Sequence, residues 1–148
     1  MVFVGTGYAK SQLKGLVDEL GIRDKVIFHD VVYDRELLKA IYARADLFLF
    51  PSLYDNAPLV IREAAALKTP SVLIRGATAA EVIHDGENGY LAGNDLDAFA
   101  AKVVAAMLDE TNRHRIAENA QKTLCRTWED IVREVRDRYL AILSRWAM

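Results

Sequence analysis

A parallel, doubly wound α/β sheet is the fold this sequence predicts, and three observations predict it. Short apolar runs alternate with amphipathic helical stretches from the first residue onward. The third run, Leu47-Phe48-Leu49-Phe50, is continuously apolar, the pattern of a strand covered on both faces. No internal repeat, low-complexity tract or Pro/Ser-rich linker divides the 148 residues. That length suits one domain (1–148, with 111–147 as terminal helices), able to bury roughly 70% of its unfolded surface.

Each element follows from local pattern. Val2-Phe3-Val4 reads as a strand closed by Gly5-Thr6-Gly7. Residues 9–20 repeat apolar positions at helical spacing (Leu13, Leu16, Val17, Leu20) and stop at Gly21, a natural residue just past a helix end. Val26-Ile27-Phe28 is a second strand. Asp34 then caps a helix with Leu37, Leu38, Ile41 and Tyr42 on one face. After the third strand a helix runs from about Pro58 to Leu67, with Asn56 or Ala57 as its cap and Pro58 in its first turn. Pro70 precedes a fourth strand, Ser71–Ile74. A short helix around Ala79–Ile83, the turn Asp85-Gly86-Glu87-Asn88-Gly89 and a brief strand at Tyr90-Leu91 come next. Helices over 95–109, 111–125 and 128–147 complete the chain.

Composition narrows the function. With 19 basic against 21 acidic residues, a net charge of −2 and a pI near 5.9, the chain lacks the basic surplus of a nucleic-acid binder. The lone Cys125 excludes an internal disulfide and any cysteine zinc site. No apolar run reaches the ~18 residues a membrane span needs, and Met1 leads straight into a strand. The expectation is a soluble, cytoplasmic protein without a signal peptide.

In a doubly wound sheet ligands sit beyond the carboxyl ends of the strands, so the loops after Val4, Phe28, Phe50 and Ile74 are the places to look. The first loop fails as a Walker phosphate loop, since Ala9 stands where glycine must precede Lys10-Ser11. It half-matches a dinucleotide fingerprint: Gly5, Gly7 and a ribose-type acid at Asp30 are present, but Lys10 occupies the third glycine position. A tight turn that brings the first helix onto the sheet explains the same glycines. Phe50 to Pro70 carries more. There a buried strand ends, the loop presents Asp55, and a helix opens whose first amides and positive dipole end suit an anionic group such as a diphosphate. Glu63 lies more than a turn into that helix, which puts its carboxylate on the order of 10 Å from that of Asp55. This is too far for a shared proton, but right for gripping two sugars of one ligand. An ordinary helix acid and a solvated loop aspartate would read the same way. His29, His84 and His114 are widely spaced and read as structural or solvated, not as metal ligands.

These residues carry a resemblance. Pro51-Ser52, then Asp55, seven residues to Arg62, Glu63-Ala64 and later Thr69-Pro70 resemble the signature of retaining GT-B glycosyltransferases of the family 4 type, the group 1 glycosyltransferases. Val4-Gly5-Thr6-Gly7, Lys25–Phe28, Tyr42–Asp46 and Glu81–Leu91 are similar to that family's other segments, in the same order, and Trp128 and Tyr139 fall where its last helix carries aromatics. The resemblance implies a Rossmann-like C-terminal half of a GT-B fold that binds a UDP-, GDP- or ADP-sugar without a metal or other cofactor. It gives Glu63 the ribose hydroxyls and Asp55 the hydroxyls of the transferred sugar, as the catalytic-site carboxylate. Asn56, Ala57 and Leu59, with Pro58 at the helix start, would face the sugar or diphosphate. Val31 and Val32 would touch the base, and Gly5 would lie against the donor.

Three positions depart from the family pattern: Asp55 for the commoner Glu, Asn56-Ala57-Pro58 for a Gly-aromatic-Gly stretch, and Lys68 for a glycine after the helix. A left-handed lysine there would cost about 1 kcal/mol. The family also places an acceptor-binding domain and an Arg…Lys pair upstream of the first strand seen here, so the expectation is a donor-binding part of a larger enzyme. That enzyme would serve glycan or polysaccharide assembly, peripheral to a membrane through the missing half. Arg75 reads as a surface residue more than as a substitute for the basic pair. Two other readings stay open: a non-catalytic nucleotide-sugar-binding module acting with a separate partner, and a dinucleotide-binding oxidoreductase domain. The stripe Trp128, Ile131, Val132, Val135, Tyr139, Ile142, Leu143, Trp146 predicts a last helix that packs on its own sheet. The resemblance implies instead that this helix crosses back toward the other domain, so that in isolation its distal end would expose Tyr139, Leu143 and Trp146 and support self-association or partner binding.

Overall fold

The computed structural model describes residues 1–56 and 58–146. The parallel α/β class holds, with the strands divided between two parallel sheets. The chain forms two compact units, one over residues 1–41 and the other from Tyr42 onward.

In the first unit β1 (Val2–Val4) pairs in parallel with β2 (Ile27–His29), Phe3 opposite Phe28 with their rings stacked at 5.1 Å. The second strand starts one residue later than its apolar run suggests, because Arg23–Lys25 coil into a 3-10 turn and Val26 serves as the link. Between the strands lies α1 (Lys10–Glu19). It ends where Gly21 takes φ +62, with Gly21 N donating to Asp18 O and Ile22 N to Val17 O, the paired bonds of a Schellman cap. Asp34 caps α2 (Arg35–Arg44) as expected, its Oδ1 accepting from the amides of Glu36 and Leu37 at 2.9 and 3.3 Å.

The second unit holds a three-stranded parallel sheet in the order β3 (Phe48–Phe50), β4 (Ser71–Ile74), β5 (Tyr90–Ala92). All of β4 is buried. By contrast β3 lies at the end of the sheet order and is half-buried, so the expectation that it is covered on both faces is corrected: the central position belongs to β4. Leu73 packs with Ile61 and Ala65 of α3 (Leu59–Ala66), the 3-10 helix Thr78–Val82, and Ala120 and Leu124 of α5 (Glu110–Leu124). Val72 points the other way, toward Tyr90, Ala106 of α4 (Leu96–Leu108) and Ile116. Asp95 and Asp109 cap α4 and α5 by accepting from Ala98 N and Asn112 N. Buried Arg113 reaches back to the last carbonyls of α4, donating to Ala106 O and Met107 O at 3.2 and 2.7 Å.

The last helix, α6 (Trp128–Trp146), buries none of its residues. Its expected packing on its own sheet is therefore not seen. Among the described residues no helix is long and apolar enough to cross a membrane.

Candidate functional site

The segment from β3 to α3 carries the predicted carboxylates. Phe50 ends a parallel strand, residues 51–58 form the loop, and Leu59 begins the helix. Pro58 itself is the N-cap, with φ −62 and ψ 126, so Asn56 does not cap the helix. Proline's ring fixes this φ, and its extended ψ starts the helix without a polar side chain. Among the described residues no side chain caps the first turn, where Ile61 N donates to Pro58 O at a long 3.4 Å. The amide end of α3 carries its partial positive charge with no side-chain cap among the described residues. Leu59 is exposed, Pro58 half-buried and Asn56 exposed; Ala57 lies outside the described residues.

Glu63 stands four residues into α3 and is half-buried. Its charge reaches Tyr42, whose phenol is raised above its ordinary pKa first by burial and then by the Glu63 carboxylate. Tyr42 is itself held from both ends of the unit's core. Its ring meets Phe48 edge-on at 5.6 Å, and its carbonyl accepts from buried Thr69 Oγ1 at 2.6 Å. Asp55 is half-buried in the loop, and its carbonyl accepts from Thr78 Oγ1 at 3.0 Å, tying the loop to the 3-10 helix that follows β4. One strand–loop–helix segment thus carries Asp55, Pro58, Leu59 and Glu63.

Gly5, Val31 and Val32 belong to the first unit. Gly5 has φ +127, a conformation that excludes other residues, and its amide donates to His29 O at 3.2 Å. Val31 is exposed and Val32 half-buried in the turn between β2 and α2. Asp30 at the start of this connection is held by the Lys10 ammonium, whose hydrogen bond and charge keep its carboxyl below the usual range. The lysine that breaks the dinucleotide fingerprint thus also occupies the acid that such a site would turn to a ribose. Arg75 is likewise engaged, donating to Asp85 Oδ2 at 2.6 Å.

Sequence reasoning assigned no role to Asn88, which is buried inside the turn before β5. Its Oδ1 accepts from His84 N at 2.8 Å, while its Nδ2 donates to Val82 O and Thr123 Oγ1 at 3.2 and 3.0 Å. Among the described residues no three His, Cys, Asp or Glu side chains are grouped to hold a metal ion.

Residues 1–123 match the family model for Glycosyl transferases group 1. A protein of Methanocaldococcus jannaschii, named an uncharacterized glycosyltransferase, is 31% identical over 142 residues, which is 94% of this chain and 36% of that one. The crystallized C-terminal domain of a glycosyl transferase group 1 protein (LpcC) from Francisella tularensis is similar with TM-score 0.70 and 26% identity, over 78% of this chain and 60% of that chain. HepE of Anabaena, solved with UDP-glucose, shares the fold with TM-score 0.74 at 24% identity, over 97% of this chain and 40% of its own. The chain spans about a third of the length of relatives such as these glycosyltransferases.

Proposed function

The chain belongs to the Glycosyl transferases group 1 family, with a GT-B fold, and we propose that it binds the donor for a retaining sugar transfer. The donor is a nucleoside-diphosphate hexose, held without a metal ion. Glu63 accepts hydrogen bonds from the ribose hydroxyls and Asp55 from hydroxyls of the transferred sugar. The amides at the start of α3, with those of Asn56 and Ala57, lie against the sugar or the diphosphate, whose negative charge the helix end favours.

The observation that carries this reading is the uncapped start of α3 beyond a parallel strand, with a half-buried carboxylate one turn further along. In the transfer, the bond from the sugar's anomeric carbon to the diphosphate breaks, a bond to the acceptor oxygen forms on the same face, and the acceptor hydroxyl's proton passes to the departing phosphate oxygen. Charge then builds on the departing diphosphate, where fixed donors do most to lower the barrier. The acceptor is supplied by a further domain or by a separate partner. The relatives' greater length favours the first of these, and the whole enzyme would act in glycan assembly.

Calorimetric titration with UDP, GDP, ADP and NAD, each in EDTA, tests the proposal. Saturable binding of one nucleoside diphosphate, and none of NAD, is the expected result. Binding of NAD alone, or binding that requires a divalent cation, would contradict it.

A further inference from the structure

The loop that carries Asp55 is fixed to the rest of its unit at two points. Leu53 packs against the core cluster that holds Ile61, Leu73 and Ala79. Two residues later the Asp55 carbonyl accepts from Thr78 Oγ1 at 3.0 Å, and among the described residues this is the one hydrogen bond that ties residues 51–56 to another element. Thr78 is itself held firmly. It opens the 3-10 helix Thr78–Val82, its neighbours Ala77, Ala79 and Ala80 are buried in that same core, and its β-branched side chain has few rotamers to choose from. Thr78 also lines a small cleft together with Pro58 and Ile61, which sets the 3-10 helix beside the start of α3. The bond lies at the surface, where it adds little to folding. Its main consequence is geometric.

We infer that Thr78 is a positioning residue for the hexose end of the bound nucleotide-sugar, an inference that rests on the donor reading given above. The peptide between Asp55 and Asn56 is planar and trans, so its carbonyl and its N–H point in opposite directions. With the carbonyl aimed at Thr78, the Asn56 amide is turned away from the 3-10 helix. The same bond holds the Asp55 backbone and leaves the carboxylate out of it. An aspartate has a single methylene between backbone and carboxylate, so fixing the backbone fixes most of its reach. One hydroxyl thus sets the direction of two groups that the donor reading assigns to the sugar. Residues 51–56 form neither helix nor strand, and without this bond the ligand would have to order them itself, with a loss of affinity.

Calorimetric titration of Thr78→Val, which keeps the side chain's shape and removes the hydroxyl, tests the inference beside Thr78→Ser, which keeps the hydroxyl. The probes are UDP with UDP-glucose, GDP with GDP-mannose and ADP with ADP-glucose, read on the pair that the wild-type chain binds. Thr78→Val should weaken the nucleotide hexose roughly threefold to tenfold and leave the nucleoside diphosphate within about twofold, with an unchanged urea midpoint. Thr78→Ser should restore the hexose affinity. Asp55→Ala separates this inference from the reading beneath it, and should weaken the nucleotide hexose selectively. If it does not, or if the chain binds none of the pairs, the donor reading fails and takes this inference with it. A selective loss in Asp55→Ala beside an unchanged Thr78→Val would overturn the role of Thr78 alone, as would an equal loss of both probes in Thr78→Val.

Discussion

The loop after β3 and the turn before β5 both border the same parallel sheet, and they direct their polar groups in opposite ways. In the turn, Asn88 aims its whole amide inward at three protein partners. Asp85 accepts from Leu91 N at 2.9 Å and pairs with Arg75 and Lys102. Gly89 leaves no room for a side chain, since a Cβ there would come within 2.9 Å of Ile83. In the loop, Asp55 is anchored through its backbone carbonyl, and the helix that follows begins without a side-chain cap. Both segments lie within the residues that match the family model. The difference is that the turn satisfies its polar groups within the protein, whereas the proposed donor reading gives the loop's helix end and carboxylates to a ligand.

Substitutions should separate the two. The largest effect belongs to Asn88→Ala, which removes a buried side chain and strips the part-buried amide of His84 and a carbonyl of Val82 of their partner, and should cost about 3 kcal/mol in urea denaturation. Gly89→Ala follows at about 1–2 kcal/mol, because Ile83 must shift and Ser71 O lies 3.3 Å from the new carbon. A sign change comes next. Lys68 holds φ +57 in a cap bonded like that at Gly21, with Lys68 N donating to Ala65 O and Thr69 N to Ala64 O. Lys68→Gly should therefore stabilise the chain by about 1 kcal/mol, seen as a raised midpoint.

The smallest effect is acid-linked. Burial raises the Asp85 carboxyl, but the Leu91 amide, Arg75 and Lys102 outweigh it and hold it below the ordinary aspartate range. A lowered folded pKa contributes stability above the unfolded value near ~3.9, and that stability is lost as pH falls toward the folded one. Stability measured against pH should lose that acid-side slope in Asp85→Asn, and the Glu63→Ala chain should keep it.

Much of this was legible in the residues, for reasons that differ by element. Strand β4 could be read end to end because Pro70 fixes its start and four residues fit a buried strand. The cap at Asp34 and the stop at Gly21 are local chemistry, and local chemistry is visible in sequence. What escaped was long-range. Whether β3 or β4 is central depends on pairing order, and the bonds of Asn88 span up to 35 residues. The start of α3 at Pro58 misled because polar Asn56 looked like a cap and the proline's extended ψ did not show. The site was legible only in part. An acid one turn into a helix is common, so the role proposed for Glu63 rests on the surrounding family pattern, not on its own chemistry.

Titration of the Glu63→Ala chain with the nucleoside diphosphate that the wild-type chain binds tests the account most directly, with urea denaturation run on both chains. Loss of the ribose contact should weaken binding by roughly tenfold to a hundredfold in a variant that remains folded. Unchanged affinity in a folded Glu63→Ala chain would contradict the assignment of this segment to the donor.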